Sequence, residues 1–161
     1  MRIHDVMNLI LKRTNSDQPD FRNLIRLLDQ DLWARYDQRQ SEYDKHNEIA
    51  FIDTVVLAYS NSESVGCACF KRLDGQSAEL KRMYVLPQYR GRGIAFQILK
   101  EIEGWVTESG LKTLLLETGN RQPEAISLYQ KAGYSVIPNY GPYANLTRSV
   151  CMQKSLIKKN L

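Results

Sequence analysis

The sequence predicts an α/β fold: a mixed, mostly antiparallel sheet with one central parallel strand pair and helices on both faces. Three observations predict it. Between Thr54 and Val85, three β-rich runs are separated by turns too short for a crossover, so those strands must be antiparallel. After Pro87 the apolar spacing changes to three and four residues, which makes a helix, and the next run, Thr113 to Glu117, is short and almost wholly apolar. A buried strand parallel to its predecessor reads that way. Finally, the 161 residues are 43% apolar and 25% charged, ordinary values for a single soluble domain. A chain of this size buries roughly 70% of its unfolded surface, so its core needs no disulfide or metal.

Taken in order, Leu9 to Lys12 reads as a first strand. Ser16, Asp17 or Asp20 then caps a helix whose Phe21, Leu24, Ile25 and Leu28 form one apolar stripe. The stretch Asp29 to Asn47, with Trp33, Tyr36 and Tyr43, is expected to hold a second helix and a loop. Thr54 to Tyr59 ends at Ser60-Asn61-Ser62, Val65 to Arg72 ends at the hairpin dipeptide Asp74-Gly75, and Ala78 to Val85 is stopped by Pro87. The following helix puts Ile94, Ile98, Leu99, Ile102, Trp105 and Val106 on one face and closes at Gly110. Pro123 suits the first turn of another helix, carrying Ala125, Ile126, Tyr129 and Ala132 and closed by Gly133. Two last strands, near Tyr134 to Ile137 and Ser149 to Gln153, flank the loop Pro138 to Pro142.

Charge and cysteine content exclude several classes. The formal net charge is +4, but Lys154, Lys158 and Lys159 lie in the carboxy-terminal tail, and the remaining chain is close to neutral. The dense group Lys81, Arg82, Arg90 and Arg92 surrounds one glycine loop, which is a local anion site; a nucleic acid partner is not expected. The longest apolar run, Val55 to Tyr59, is far too short for a membrane span, and the amino terminus lacks a secretory pattern, so a cytoplasmic protein is expected. Cys67, Cys69 and Cys151 are odd in number and read as small buried hydrophobes in a reducing compartment. His4 and His46 belong to no ligand spacing, so no metal is expected.

The sharpest local feature is Gln88-Tyr89-Arg90-Gly91-Arg92-Gly93, between a strand and a helix. Glycines let the backbone approach a ligand closely, and a helix amino terminus presents unpaired N–H groups at a positive dipole end. Two arginines in the same turn can add charge-assisted bonds to phosphate oxygens. Physically this is a pyrophosphate cradle. A P-loop would need four residues between its glycines followed by Lys-Ser/Thr, and neither is present. A dinucleotide fingerprint would need a small residue where Phe96 stands, and too little chain follows Glu117 for a doubly wound sheet.

The surrounding chain resembles the GNAT superfamily of acyl-CoA-dependent N-acetyltransferases. Gln88, Gly91 and Gly93 match its loop Gln/Arg-x-x-Gly-x-Gly/Ala. Glu79 to Val85 resembles the strand before that loop. Leu116-Glu117-Thr118 and the block Ala125-Ile126-x-Leu128-Tyr129-x-Lys131-x-Gly133-Tyr134 resemble its following half. The likeness runs over about residues 53 to 136. It implies a single N-acetyltransferase domain over residues 1–161, with that segment as the CoA-binding core and acceptor-side helices over about residues 17–47. It also implies that acetyl-CoA lies where two central strands splay apart.

Splaying leaves backbone groups of Met83, Tyr84 and Val85 free for the pantetheine amides, while Arg90, Gly91, Arg92 and Gly93, with Gln88, Ile94 and Ala95, hold the pyrophosphate. Asn120 is expected to orient the pantetheine or a water. By resemblance, Tyr129 is the acid that protonates the departing thiolate and Glu79 the base that takes the amine proton. Tyr36, Tyr43, Tyr140 and Tyr143 are candidates to wall the acceptor pocket. The expected activity is acetyl transfer from acetyl-CoA to a primary amine of a small molecule or amino-acid derivative. A protein lysine or N-terminal acetyltransferase, and a non-catalytic acyl-CoA-binding regulatory domain, are the alternatives; a homodimer is compatible with all three.

Overall fold

The computed structural model describes residues 8–36 and 50–157. Tyr43, the two histidines, and Lys158 and Lys159 lie outside them. Among the described residues the chain runs β1 (Leu9–Thr14), α1 (Pro19–Tyr36), β2 (Val55–Ser60), β3 (Glu63–Arg72), β4 (Ser77–Val85), α2 (Ile94–Glu108), β5 (Thr113–Gly119), α3 (Pro123–Lys131), β6 (Ser135–Ile137) and β7 (Ser149–Ser155). The strands form one sheet in the order β1-β2-β3-β4-β5-β7-β6. Every pairing is antiparallel except β4 with β5. The predicted class is therefore the observed one.

One expectation at the amino-terminal side fails. No break separates a first from a second helix at Asp29: α1 continues to Tyr36. Asp29-Gln30-Asp31-Leu32-Trp33 contains no glycine or proline, and Asp31 lies one turn from Arg35, with its carboxylate 3.6 Å from the guanidinium, so the polar composition does not end the helix. The helix start also differs. The Ser16 hydroxyl accepts the Ile52 N–H at 2.8 Å, and Asp20 accepts the Tyr59 hydroxyl at 2.6 Å, so both residues tie loop and helix to the sheet.

The two faces of the sheet are distinguished by register. Phe70 of β3 meets Trp105 of α2 edge-on at 5.6 Å, and Leu80 lies opposite Phe70, so both belong to the α2 face. Ile94, Ile98, Leu99, Ile102 and Val106 of α2 are all buried against it. Full burial of such side chains stabilises by roughly 1.5–3 kcal/mol each. Alternation then places Glu79 and Lys81 on the opposite face, the one that Phe21, Leu24 and Leu28 of α1 cover in part. Cys67, Cys69 and Cys151 are buried free thiols, and burial pushes the Cys69 thiol up to about 12.

A single irregularity in β4 shapes the site. Cys67 pairs with Tyr84 and Cys69 with Lys81, so Arg82 and Met83 together face Ala68 alone. This is a β-bulge, and such bulges bend a strand and end regular pairing. Arg82 adopts φ 60°, which costs a non-glycine residue on the order of 1–3 kcal/mol. Its Nη1 lies 2.6 Å from Asp29 Oδ1 of α1, a charged pair that helps hold the bulge in place. Just before the bulge the parallel pairing stops: the last β4–β5 partners are Leu80 and Leu116. Beyond them β5 stays paired with β7 as far as Gly119, while β4 stays paired with β3. The two central strands therefore diverge at their carboxyl ends.

Candidate active site

The divergence opens a cleft of about 130 Å³. Leu80 to Met83 form one wall and Leu116 to Gly119 the other. Leu28, Leu32 and Tyr36 of α1 close one side, and Ala125, Leu128 and Tyr129 of α3, with Tyr143, close the rest. The last β4 residue paired with β5 is Leu80, and the β4 edge from Lys81 to Met83 borders the cleft.

At the outer end of β4 the glycine loop leads into α2. Gly91 and Gly93 have φ of 77° and 81°, and a Cβ at either would meet nothing within 4 Å. The need for glycine there is conformational, and the space above the turn is open. The first helical bond formed across the start of α2 runs from Gln97 N to Gly93 O, so the amides of Ile94 to Phe96 precede the intrahelical ladder and point outward. Arg90 donates to Val85 O at 2.8 Å and lies over the Tyr84 ring, while Arg92 lies over the Tyr89 ring. The first turn of α2 has no acidic residue. These features suit a phosphate group. Gly93→Ala should cost about 1–2 kcal/mol of stability. Chemical denaturation of the variant beside the wild type checks this.

Tyr129 is buried, with its ring edge-on to Tyr134 at 5.8 Å. Tyr134 donates to Glu103 of α2 at 2.8 Å, and the Lys154 ammonium reaches the same carboxylate at 3.2 Å. The tyrosine pair is thus braced against the helix that carries the glycine loop. Burial, reinforced by the charge of Glu117, raises the Tyr129 pKa and keeps the phenol protonated. That is the state a proton donor requires.

The expected base lies elsewhere. Glu79 is 3% exposed and is absent from the cleft lining. It sits where β4 and β5 still pair, opposite Leu115. Its carboxylate accepts the Tyr140 hydroxyl at 2.5 Å and has the ammonium groups of Lys81 and Lys71 at 3.4 and 3.7 Å. The carboxylate that does face the cleft is Glu117, on β5 beyond the end of the parallel pairing. Burial pushes the Glu117 carboxyl up to about 7; the Ser149 hydroxyl and the Lys81 ammonium pull against this, and the charge of Glu79 adds to it. The sequence placed Glu117 at the end of a strand and in a matching block and gave it no catalytic role, although it is the one charged residue of β5.

Of the remaining expected residues, Met83 lines the cleft, while Tyr84 and Val85 are buried just outside it, paired to Cys67 and Gly66. Gln88 and Arg90 to Gly93 are exposed at its outer end except where Tyr89 interrupts them, followed by Ile94 and Ala95 in the first turn of α2. Asn120 is exposed at the turn after β5, where its N–H bonds to Arg148 O at 2.8 Å. Tyr36 and Tyr143 line the cleft, and Tyr140 stands behind it on Glu79. Among the described residues no group of His, Cys, Asp and Glu could hold a metal ion, and no helix is long and apolar enough to cross a membrane.

The site is thus a split between the central parallel strands of a mixed sheet, with a glycine turn at one end and a phenol and a carboxyl inside it. Comparison with known proteins shows which class of α/β domain this is. The sequence profile of the Acetyltransferase (GNAT) family matches residues 16–134. An IAA acetyltransferase of Azospirillum brasilense is 33% identical over 151 residues, covering 92% of this chain and 99% of that one. A candidate acyl-CoA N-acyltransferase from Klebsiella pneumoniae superposes with a TM-score of 0.72 at 28% identity, over 94% of this chain and 99% of that one. The PaiA N-acetyltransferase of Thermoplasma acidophilum, solved in complex with coenzyme A, has the same fold, with a TM-score of 0.69 at 19% identity over 92% and 99% of the two chains. The chain belongs to the GNAT family and is an acetyltransferase.

Proposed function

We propose that this acetyltransferase takes its acetyl group from acetyl-CoA bound along the β4–β5 split and passes it to a primary amine of a small molecule or amino-acid derivative. The observation that carries the reading is that a proton donor, Tyr129, and a carboxyl with a pKa near neutrality, Glu117, line one split where β4 and β5 part. The open glycine turn and the β4 edge along the split fit the two polar parts of CoA, its pyrophosphate and its amide-bearing arm. Related proteins solved with coenzyme A or acetyl-CoA support that fit.

When bound, acetyl-CoA supplies an activated acyl carbon with a thiolate leaving group. The chain's own groups manage two protons. An amine of pKa near 8 to about 10.4 arrives protonated at neutral pH. Glu117, which ionises at about 7, accepts its proton directly or through one water. Tyr129 gives a proton to the sulfur as the carbon–sulfur bond breaks. The buried free cysteines lie outside the cleft lining, so the transfer is direct and needs no acyl-enzyme. Tyr36 and Tyr143, on the α1 face of the cleft, contact the acceptor; Glu79 acts on Lys81 and Tyr140 and touches neither reactant.

A panel of small amines, amino acids and peptide amino termini, incubated with acetyl-CoA and read by free thiol release, tests the proposal. Thiol release with at least one small amine, saturable in both substrates, is expected. CoA binding without transfer to any amine would favour a regulatory acyl-CoA-binding domain, and transfer confined to peptides would favour a protein acetyltransferase.

A further inference from the structure

Among the described residues, Lys81 is the one primary amine of the side chains that line the cleft. It occupies the first β4 position after the last β4–β5 partner, Leu80, at the point where the strands part. Its side chain is 5% exposed, and its Nζ lies 3.4 Å from Glu79 Oε1 and 3.2 Å from the Tyr143 hydroxyl. A buried lysine thus faces an acyl-donor cleft with a carboxylate beside its nitrogen. Glu79 in turn accepts the Tyr140 hydroxyl and lies 3.7 Å from the Lys71 ammonium.

We propose that Lys81 is itself an acetylation site, modified within the same molecule by the acyl-CoA thioester when no external amine is present. The inference rests on the reading of the split as the acetyl-CoA site. In the step, the Lys81 nitrogen bonds to the thioester carbonyl carbon and the carbon–sulfur bond breaks. The nitrogen keeps one of its three protons in the new amide. One passes to Glu79, and one ends on the CoA thiolate by way of Tyr129 and water. No oxidant or further reactant enters. Desolvation lowers the Lys81 pKa while Glu79 partly restores it, so the neutral amine is more available than it would be without that shift.

The product has a direct consequence for the site. Acetylation removes a buried positive charge, lengthens the side chain into the cleft, and takes the Lys81 ammonium away from Glu79, which keeps Lys71, Tyr140 and Tyr143 beside it. An enzyme modified in this way is blocked, so acetyl-CoA supplied without acceptor shuts down its own transferase. External amines compete with Lys81 for the same acyl carbon and therefore protect the site.

The test uses the full-length protein incubated with acetyl-CoA and no added amine, followed by intact-mass and peptide-mapping mass spectrometry. Coenzyme A alone and heat-unfolded protein with acetyl-CoA serve as controls. One acetyl group on the peptide containing Lys81 is expected, formed with a rate constant independent of protein concentration, slowed by an acceptor amine, and absent in Lys81→Arg. Glu79→Gln should slow it roughly 10²-fold, with CoA calorimetry confirming that the variant still folds. An unmodified Lys81 in a sample that acetylates an added amine overturns the proposal and leaves the transferase reading intact. Acetylation only of exposed lysines, at a rate rising with protein concentration, also overturns it. Failure to bind acetyl-CoA at all overturns both.

Discussion

Replacing Tyr129 with Phe is expected to lower turnover roughly 10²- to 10⁴-fold, the usual range for losing a general acid when the chemical step limits the rate. The substitution removes one oxygen and keeps the ring that packs against Tyr134. Acetyl-CoA affinity and melting temperature should therefore move little, because the hydroxyl matters mainly as the carbon–sulfur bond breaks. Steady-state kinetics, CoA calorimetry and a thermal melt on one preparation separate the outcomes. A tyrosine that only packs gives near-wild-type turnover in the folded Phe variant, which would remove Tyr129 from the mechanism.

Glu117→Gln should also lower turnover roughly 10²-fold or more at neutral pH, and its pH dependence carries the sharper test. In the wild type, Glu117 holds a proton below about 7 and cannot accept one, so kcat/KM should rise as pH increases through about 7. The variant should lack that limb and recover only at higher pH, where the amine loses its proton unaided. Stability should move the other way. A carboxyl whose native pKa is raised above its unfolded value keeps its proton in the fold while the unfolded chain releases it. Its contribution to stability is therefore fully present below the unfolded value and lost as pH rises to about 7. Removing the ionisable group relieves that loss, so Glu117→Gln should melt no lower than wild type at pH 8 while turning over far more slowly. Equal rate losses at every pH, together with a lowered melting temperature, would mark Glu117 as a packing residue.

The glycine turn and the Tyr129 helix could be read from sequence because each depends on short-range chemistry. Gly91 and Gly93 permit the left-handed backbone they adopt, and the order of strand, loop and helix around them follows from a change of period. The extent of α1 was less legible. A polar stretch such as Asp29 to Tyr36 reads as an interruption when only its apolar stripe is followed, yet α1 carries on through it, with Asp31 beside Arg35 and Tyr36 lining the cleft.

The choice of base shows where local reading stops. Glu79 and Glu117 are glutamates of the two central strands, and resemblance favoured Glu79. Pairing decides between them: Glu79 lies where β4 and β5 are still bonded and is enclosed by Tyr140 and two lysines, whereas Glu117 lies past Leu116, where the strands have parted. The parting depends on a bulge at Arg82 whose strained backbone is tied to Asp29, far away in sequence. The insertion of β7 between β5 and β6 likewise depends on pairing partners remote along the chain.

By itself, then, the sequence determined the fold class, the family resemblance, the glycine turn and the candidate acid, because periodicity, glycine conformation and motif spacing act over a few residues. Only the tertiary structure decided which carboxylate faces the cleft, where the central strands separate, and that Lys81 stands inside the split. Those features arise from β-register and from long-range pairs such as Arg82 with Asp29 and Glu79 with Tyr140, which exist only after distant segments have been brought together.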